Sequence, residues 1–183
     1  MSEVVLSGSR PEWAREFDEV AAEIRQALGE RALAVDHIGS TSVPGLAAKD
    51  VIDVQVRVGE LERIELPAFD APLGRGVLLD HVPAGFDGDP REWEKRYFRR
   101  LQPRRVHVHV RRHGAANARY ALLFRDYLRA TPAAVRGWEA VKRRLAAEYP
   151  DREAYTEAKD PLTDVLMADA ERWAEAAGWS MPA

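Results

Sequence analysis

Cysteine is absent from this chain of 183 residues. Disulfides, thiolate metal sites and cysteine nucleophiles are therefore excluded, and a reducing compartment is compatible with the composition. Long apolar runs are missing too. No segment approaches the roughly 20 apolar residues of a membrane span, and the stretch from Met1 to Ser7 has no basic segment followed by an apolar core. A cytoplasmic protein without a membrane partner is the expectation. An excess of charge of one sign is lacking, 27 basic residues standing against 30 acidic ones for a formal net charge of −3, so the whole chain offers no electrostatic reason to bind nucleic acid. The one basic stretch, from Arg91 to Arg112, is interleaved only with Trp93, Tyr97 and Phe98, too few aromatics for a base-stacking platform. Two catalytic signatures are also lacking: the Gly-x-Ser-x-Gly elbow of serine hydrolases and the Gly-x-x-x-x-Gly-Lys-Ser/Thr phosphate loop.

What is present is ordinary globular composition, 46% hydrophobic and 31% charged, in a length that suits one core. Residues 1–183 read as a single α/β (α+β) domain, with a mixed sheet over 1–113 and a helical part over 114–183. Ser9 is placed to cap a helix opened by Arg10 and Pro11. Trp13, Phe17, Val20, Ile24 and Leu28 give that helix one apolar face, ending at Gly29. Strands are predicted over 34–38 and 51–58, then over 93–101 and 105–110 with a tight hairpin between them. The intervening 59–90 segment is broken by Pro67, Pro72, Pro83 and Pro90, and allows at most a short helix near Leu61 and an edge strand over 77–81. After Gly114 the periodicity is helical. Thr131-Pro132 separates two helices, and Pro161 either kinks a third or restarts it with Asp160 as cap.

The segment from His37 to Val56 carries the most chemical information. It reads as a strand end, a turn of small residues, a short helix and a second strand bearing Asp53. Gly39 permits close backbone approach, while Ser40 and Thr41 offer hydroxyls and N–H groups at a helix start, where phosphate is favoured. Simple capping is the alternative for Ser40, Thr41 and Ser42, and a buried carboxylate held by backbone N–H groups is the alternative for Asp53.

His107 and His109 alternate with valines, so strand periodicity puts both imidazoles on one face. With Asp53 and His37 they form a candidate set for Zn²⁺, Mn²⁺ or another transition metal. Binding phosphate, moving a proton, or a structural role are the alternatives. Nine Lys or Arg residues against two acidic ones lie between Arg91 and Arg112. Of these, Arg96, Arg99 and Arg105 are candidates to reach a phosphate in the cleft, with Arg100, Arg104, Arg111 and Arg112 at the surface. Arg125 and Asp126 suit an ion pair locking helix to sheet. Tyr155 and Lys159 share a helix face four residues apart, the lysine suited to a nucleoside triphosphate and the tyrosine to a base or ribose. His81 and His113 fall in turn-like, exposed surroundings.

Several motifs in fixed order resemble the GrpB (UPF0157-like) family. They are His37-Ile38-Gly39-Ser40-Thr41-Ser42-Val43-Pro44-Gly45-Leu46 with Lys49 and Asp53, then Arg96-Tyr97-Phe98 and His107-Val108-His109-Val110. Leu122 to Arg129 and Tyr155-Thr156-Glu157-Ala158-Lys159 complete the set. The family resembles a branch of the nucleotidyltransferase superfamily, and some members are fused to dephospho-CoA kinase. The resemblance implies a nucleotidyltransferase-like mixed sheet flanked by helices, with a C-terminal helical segment. It implies that Gly39, Ser40 and Thr41, with Lys49, Arg96, Tyr155 and Lys159, hold a nucleotide. Asp53 would hold Mg²⁺ or Mn²⁺, and His107 and His109 would ligate metal or relay a proton. The superfamily expects a second carboxylate two residues after Asp53, where this chain has Gln55. Metal-assisted transfer of a nucleotidyl group from a nucleoside triphosphate to an unknown small-molecule or protein acceptor is the leading expectation. The alternatives are an inactive module that binds a nucleotide or coenzyme A precursor, and a metal-dependent phosphohydrolase.

Overall fold

The computed structural model describes residues 4–183. Met1 to Glu3, part of the stretch read for a leader, lie outside the described residues. The first helix, α1 (Glu12–Leu28), buries Trp13, Val20, Ala21, Ile24 and Leu28 on the predicted face and is closed by Gly29 at φ 56. Ser9 does not cap it. The Ser9 hydroxyl instead accepts the Gly45 N–H at 3.0 Å and ties the N-terminal segment to the 39–46 turn.

Five strands follow: β1 (Ala34–Ile38), β2 (Ile52–Val58), β3 (Leu78–Leu79), β4 (Glu94–Arg100) and β5 (Val106–Arg112), arranged in the order β1-β2-β5-β4-β3. The pairing of β2 with β5 is parallel and the others are antiparallel, so the sheet is mixed as expected. Alternation then sorts the side chains. Ile52, Val54, Val56, Val106, Val108, Val110 and Phe98 turn to one face and pack with α1 in the first core cluster. Asp53, Gln55, His107, His109 and Arg111 turn to the other. The 59–90 segment forms no helix at Leu61, and its edge strand shrinks to two residues. It is held down by Leu61, Ile64, Leu66 and Phe69, all buried in the same cluster at spacings that match neither helix nor strand.

Helices α2 (Ala116–Ala130), α3 (Pro132–Glu148) and α4 (Arg152–Ala177) cover the polar face, with Pro161 inside an unbroken α4. Asp160 therefore caps nothing and pairs with Lys159 at 2.9 Å. A second apolar cluster, including Val43, Leu46, Leu123, Leu128, Trp138 and Met167, joins these helices to the 43–46 turn. Among the described residues no helix is long and apolar enough to cross a membrane.

Ile52 lies fully buried at the sheet centre, while Val165 is 68% exposed. Ile52→Ala should cost about 2–5 kcal/mol through lost burial and a residual cavity, and Val165→Ala less than about 0.5 kcal/mol. Urea denaturation of the two variants beside wild type measures both.

Candidate functional site

Between the polar face of the sheet and α2 to α4 lies a cavity of about 460 Å³. Its floor comes from β2 and β5, whose parallel register sets Asp53 opposite His107 and Gln55 opposite His109. Its rim is the 38–42 turn. Gly39 sits there at φ 69, and a Cβ on it would fall on the Asp53 carboxylate, so only glycine lets the turn close over that acid. Ser40 to Ser42 form a single 3-10 turn rather than the expected short helix. Its last N–H groups are spent internally, Ser42 donating to the Gly39 carbonyl and Val43 to that of Ser40. A single three-residue turn also aligns too few peptides for a macrodipole, so a helix dipole is not what would draw an anion here. Two arginines of α2 fix it instead: Arg129 donates to the Ser42 carbonyl at 2.8 and 3.0 Å, and Arg125 to that of His37 at 3.1 Å. Arg125 also pairs with its neighbour Asp126 at 2.7 Å, but that pair lies within α2, and the tie from helix to sheet is the Arg125 bond to His37.

Asp53 has His107 Nδ1 at 3.3 Å from Oδ1. Burial pushes its carboxyl up, but the hydrogen bond and charge of His107, with His109 and Lys49, outweigh that and hold it below the usual carboxylate range. His109 is driven well below the ordinary imidazole value by burial and by the charges of Lys95 and Arg111, so it is neutral at pH 7. Its Nδ1 has no hydrogen-bond partner among the described residues, and the Tyr97 ring packs edge-on against both histidines.

Gln55 is fully buried and fully engaged. Its oxygen accepts Arg111 at 2.7 Å, and its amide donates to Asp36 and to the Ala118 carbonyl, each at 3.3 Å. Arg111 in turn binds Asp80 at 2.6 Å, and Asp80 binds Lys95 at 2.6 Å. Despite its burial, these two cations keep Asp80 far below the usual carboxylate range.

The other wall is lysine-rich. Lys49 lies 4.8 Å from the centre of the buried Tyr155 ring, and Lys159 also lines the cavity. The third lysine, Lys142 of α3, was not anticipated. It is 3% exposed and donates to Ser40 Oγ at 2.8 Å and to the Ala47 carbonyl at 2.5 Å. Burial, with the charges of Lys159 and Lys49, lowers it to about 7. The sequence did carry a signal, since Lys142 stands four residues after Trp138 on the same, apolar helix face.

The structure thus gathers Gly39, Ser40, Thr41, Lys49, Asp53, His107, His109, Tyr155 and Lys159 around one cavity. It does not bring His37 or Arg96 there. His37 falls on the opposite parity of β1, stacks 4.6 Å from Phe17 of α1 and bonds Thr41 at 3.0 Å, and burial lowers it to about 4. Arg96 is on the α1 face too, donating to the Leu61 and Arg75 carbonyls. Arg99 and Arg105 are not part of the lining, whereas Arg111, expected at the surface, is. His81 is not simply exposed; its Nε2 lies 2.9 Å from Asp164, which also accepts the Tyr120 hydroxyl. Among the described residues no group of three or more His, Asp or Glu side chains is arranged to hold a metal. Five cationic side chains line the cavity against one carboxylate, Asp53.

A family model described as GrpB protein matches residues 3–169. The chain is similar to a dephospho-CoA kinase of Mycolicibacterium paratuberculosis, 36% identical over 92% of this chain and 46% of that protein. It is also similar to UPF0157 protein SCO7215 of Streptomyces coelicolor, 39% identical over 91% of this chain and 82% of that protein. The chain spans about half the length of the dephospho-CoA kinase relatives it matches. Among solved structures it is similar to the conserved protein GrpB from Enterococcus faecalis, with a TM-score of 0.72, 31% identity, and coverage of 92% of this chain and 99% of that one.

Because Lys142 is lowered to about 7 in the fold from an ordinary 10.5, the unfolded chain binds its proton more tightly. Its contribution to stability is fully unfavourable below about pH 7 and is relieved as pH rises toward 10.5. Wild type should therefore gain stability relative to Lys142→Met between pH 7 and 9.5, with a slope of at most about 1.4 kcal/mol per pH unit. Urea midpoints across that range measure the difference.

Proposed function

Since the chain belongs to the GrpB family, we propose that its cavity binds the phosphate end of a nucleotide or coenzyme A precursor. The observation that carries this reading is the convergence of Lys49, Lys142 and Lys159 beside Ser40, in a cavity with one carboxylate. Ammonium groups in a partly dry site form strong hydrogen bonds to phosphate oxygens. Phe124, Trp138 and Tyr155 line the same cavity and offer rings to an organic portion, and about 460 Å³ suits such a ligand. The relatives named dephospho-CoA kinase lend support from an independent direction.

A second reading, nucleotidyl transfer, draws on the Asp53–His107 pair beneath the turn. In such a step an acceptor hydroxyl oxygen bonds to the α-phosphorus, and the bond from that phosphorus to the pyrophosphate oxygen breaks. The acceptor proton passes to His107, steadied by Asp53, while the lysines neutralise the leaving pyrophosphate. The divalent cation that the superfamily resemblance implies does not fit this donor set as a two-metal site. The Gln55 oxygen is neutral and already accepts from Arg111, which occupies its side of the floor. A hydrolase built on a histidine-held metal has the same difficulty, with His37 on the wrong face.

Calorimetry against ATP, GTP, CTP, UTP and dephospho-CoA tests binding. At least one should bind, and Lys142→Met should weaken it by about 10- to 100-fold through the loss of charge-assisted hydrogen bonds. No binding of any of them, with or without Mg²⁺, overturns the reading. Pyrophosphate release together with a nucleotide-labelled acceptor, both lost in Asp53→Asn, would establish transfer as well.

A further inference from the structure

We infer that the cavity holds the phosphates of its ligand as the free, metal-uncomplexed polyanion, with Lys142 and Lys49 in the charge-neutralising role that divalent cations have in two-metal transferases. This rests on the proposed binding of a phosphorylated ligand and adds the charge state in which that ligand is taken.

Three observations lead there. The first concerns Gln55, which stands where a second metal-holding carboxylate would be. Its oxygen accepts Arg111 at 2.7 Å and its amide donates to Asp36 and the Ala118 carbonyl, so the one atom able to coordinate already faces a guanidinium. Arg111 is itself pinned by Asp80 at 2.6 Å and fills that side of the floor with a guanidinium already matched in charge. A dication entering from the cavity would meet Lys49 and Lys142, which have no such match among the described residues.

The second concerns Asp53, the only carboxylate in the lining. One of its oxygens faces His107 at 3.3 Å, and the other lies against the Gly39 backbone. It joins no set of three or more acidic or imidazole groups arranged for a metal among the described residues.

The third is Lys142. An ammonium has three N–H donors, and this one uses two, on Ser40 Oγ and the Ala47 carbonyl. Neither Lys142 nor Lys49 has an ion-pair partner among the described residues, although Lys142 is 3% exposed. A buried cation without a counter-charge is costly to the fold. The remaining donor of Lys142, in the wall of the cavity and beside Lys49 and Lys159, has no partner among the described residues and is available to an anion that enters. A di- or triphosphate brings several charges and suits the unpaired Lys49 and Lys142, with Lys159 beside them paired to Asp160, better than a monophosphate does. Chelation by Mg²⁺ removes two of those charges and with them much of the attraction.

Titration of the full chain with ATP, dephospho-CoA and inorganic pyrophosphate, in EDTA and in excess MgCl₂ at matched ionic strength, tests the inference. Binding in EDTA is expected for at least one of them, severalfold weaker once Mg²⁺ is in excess for ATP or pyrophosphate. Asp53→Asn should bind the same ligand in EDTA at least as tightly as wild type, because it removes the one negative charge facing the phosphates. Binding that requires Mg²⁺, or that Mg²⁺ tightens tenfold or more, overturns this inference while leaving the proposed function standing. Loss of EDTA binding in a folded Asp53→Asn protein overturns it as well. If no ligand binds under either condition, both fall together. The Mg²⁺ comparison on wild type decides the matter even if the variant does not fold.

Discussion

The parallel pairing of β2 with β5 is the constraint on which the rest of the molecule depends. Both strands alternate up to the Arg111-Arg112 end of β5, and their register aligns Val54 with Val108 and Val56 with Val110 on one face. Asp53 is thereby aligned with His107 and Gln55 with His109 on the other. A slip of one residue in either strand would present valines to the cavity and ionisable groups to α1, so burial of the first core cluster and assembly of the site are enforced by one register. Strand pairing in the centre of the sheet thus supplies the stability and the chemistry at once. The 38–42 turn can close over Asp53 only because Gly39 has no side chain.

The polar face is divided into two electrostatic halves with different accounts of their charge. On one side Asp36, Gln55, Arg111, Asp80 and Lys95 form a connected network in which each cation meets an acid or amide at short range. Buried polar groups satisfied in this way hold each other rigidly and have little capacity left for a ligand. Nearby, the buried Arg57 is matched by Asp36 and by the carbonyls of Pro182 and Ala183. On the other side Lys49 and Lys142 face the cavity without a carboxylate partner among the described residues. Gln55 belongs to the first half, which is why its departure from the superfamily pattern leaves no unsatisfied group behind.

Much of this arrangement was legible in the chain. Strands β1, β2 and β5 followed from alternation, and the Gly39-Ser40 turn with Asp53 identified the cleft. The same alternation places Arg111 with His107 and His109, and reading it as a surface residue gave composition more weight than parity. The side of Arg96 was harder to read, because it depends on hairpin register, which pairs Arg96 with Val110 and Tyr97 with His109. His37 was misplaced for a related reason. It neighbours Gly39 in sequence, but β1 turns it toward Phe17. Lys142 was missed because a lone lysine on an amphipathic helix ordinarily reaches water. Its burial is decided by the 40–47 turn packing over α3, a contact between segments about a hundred positions apart. The 59–90 segment was opaque because its buried residues are held by tertiary contacts at irregular spacing.

The unbalanced half of the site also links ligand and proton. Lys142 is lowered to about 7 chiefly by burial and secondarily by Lys159 and Lys49, so near neutrality it is divided between its two forms. A polyphosphate placed against it would favour the charged form and raise its pKa, and linkage then requires that binding above pH 7 take up a proton. A network as fully paired as the one around Gln55 and Arg111 has no such latitude, because its charges are already fixed by each other. The lysine wall, with His107 and His109 on the floor beside it, is where such a proton would be taken up. Burial of Lys142 is opposed only at a distance by Glu139 and Asp53, so an anion placed against its ammonium would offset part of that cost.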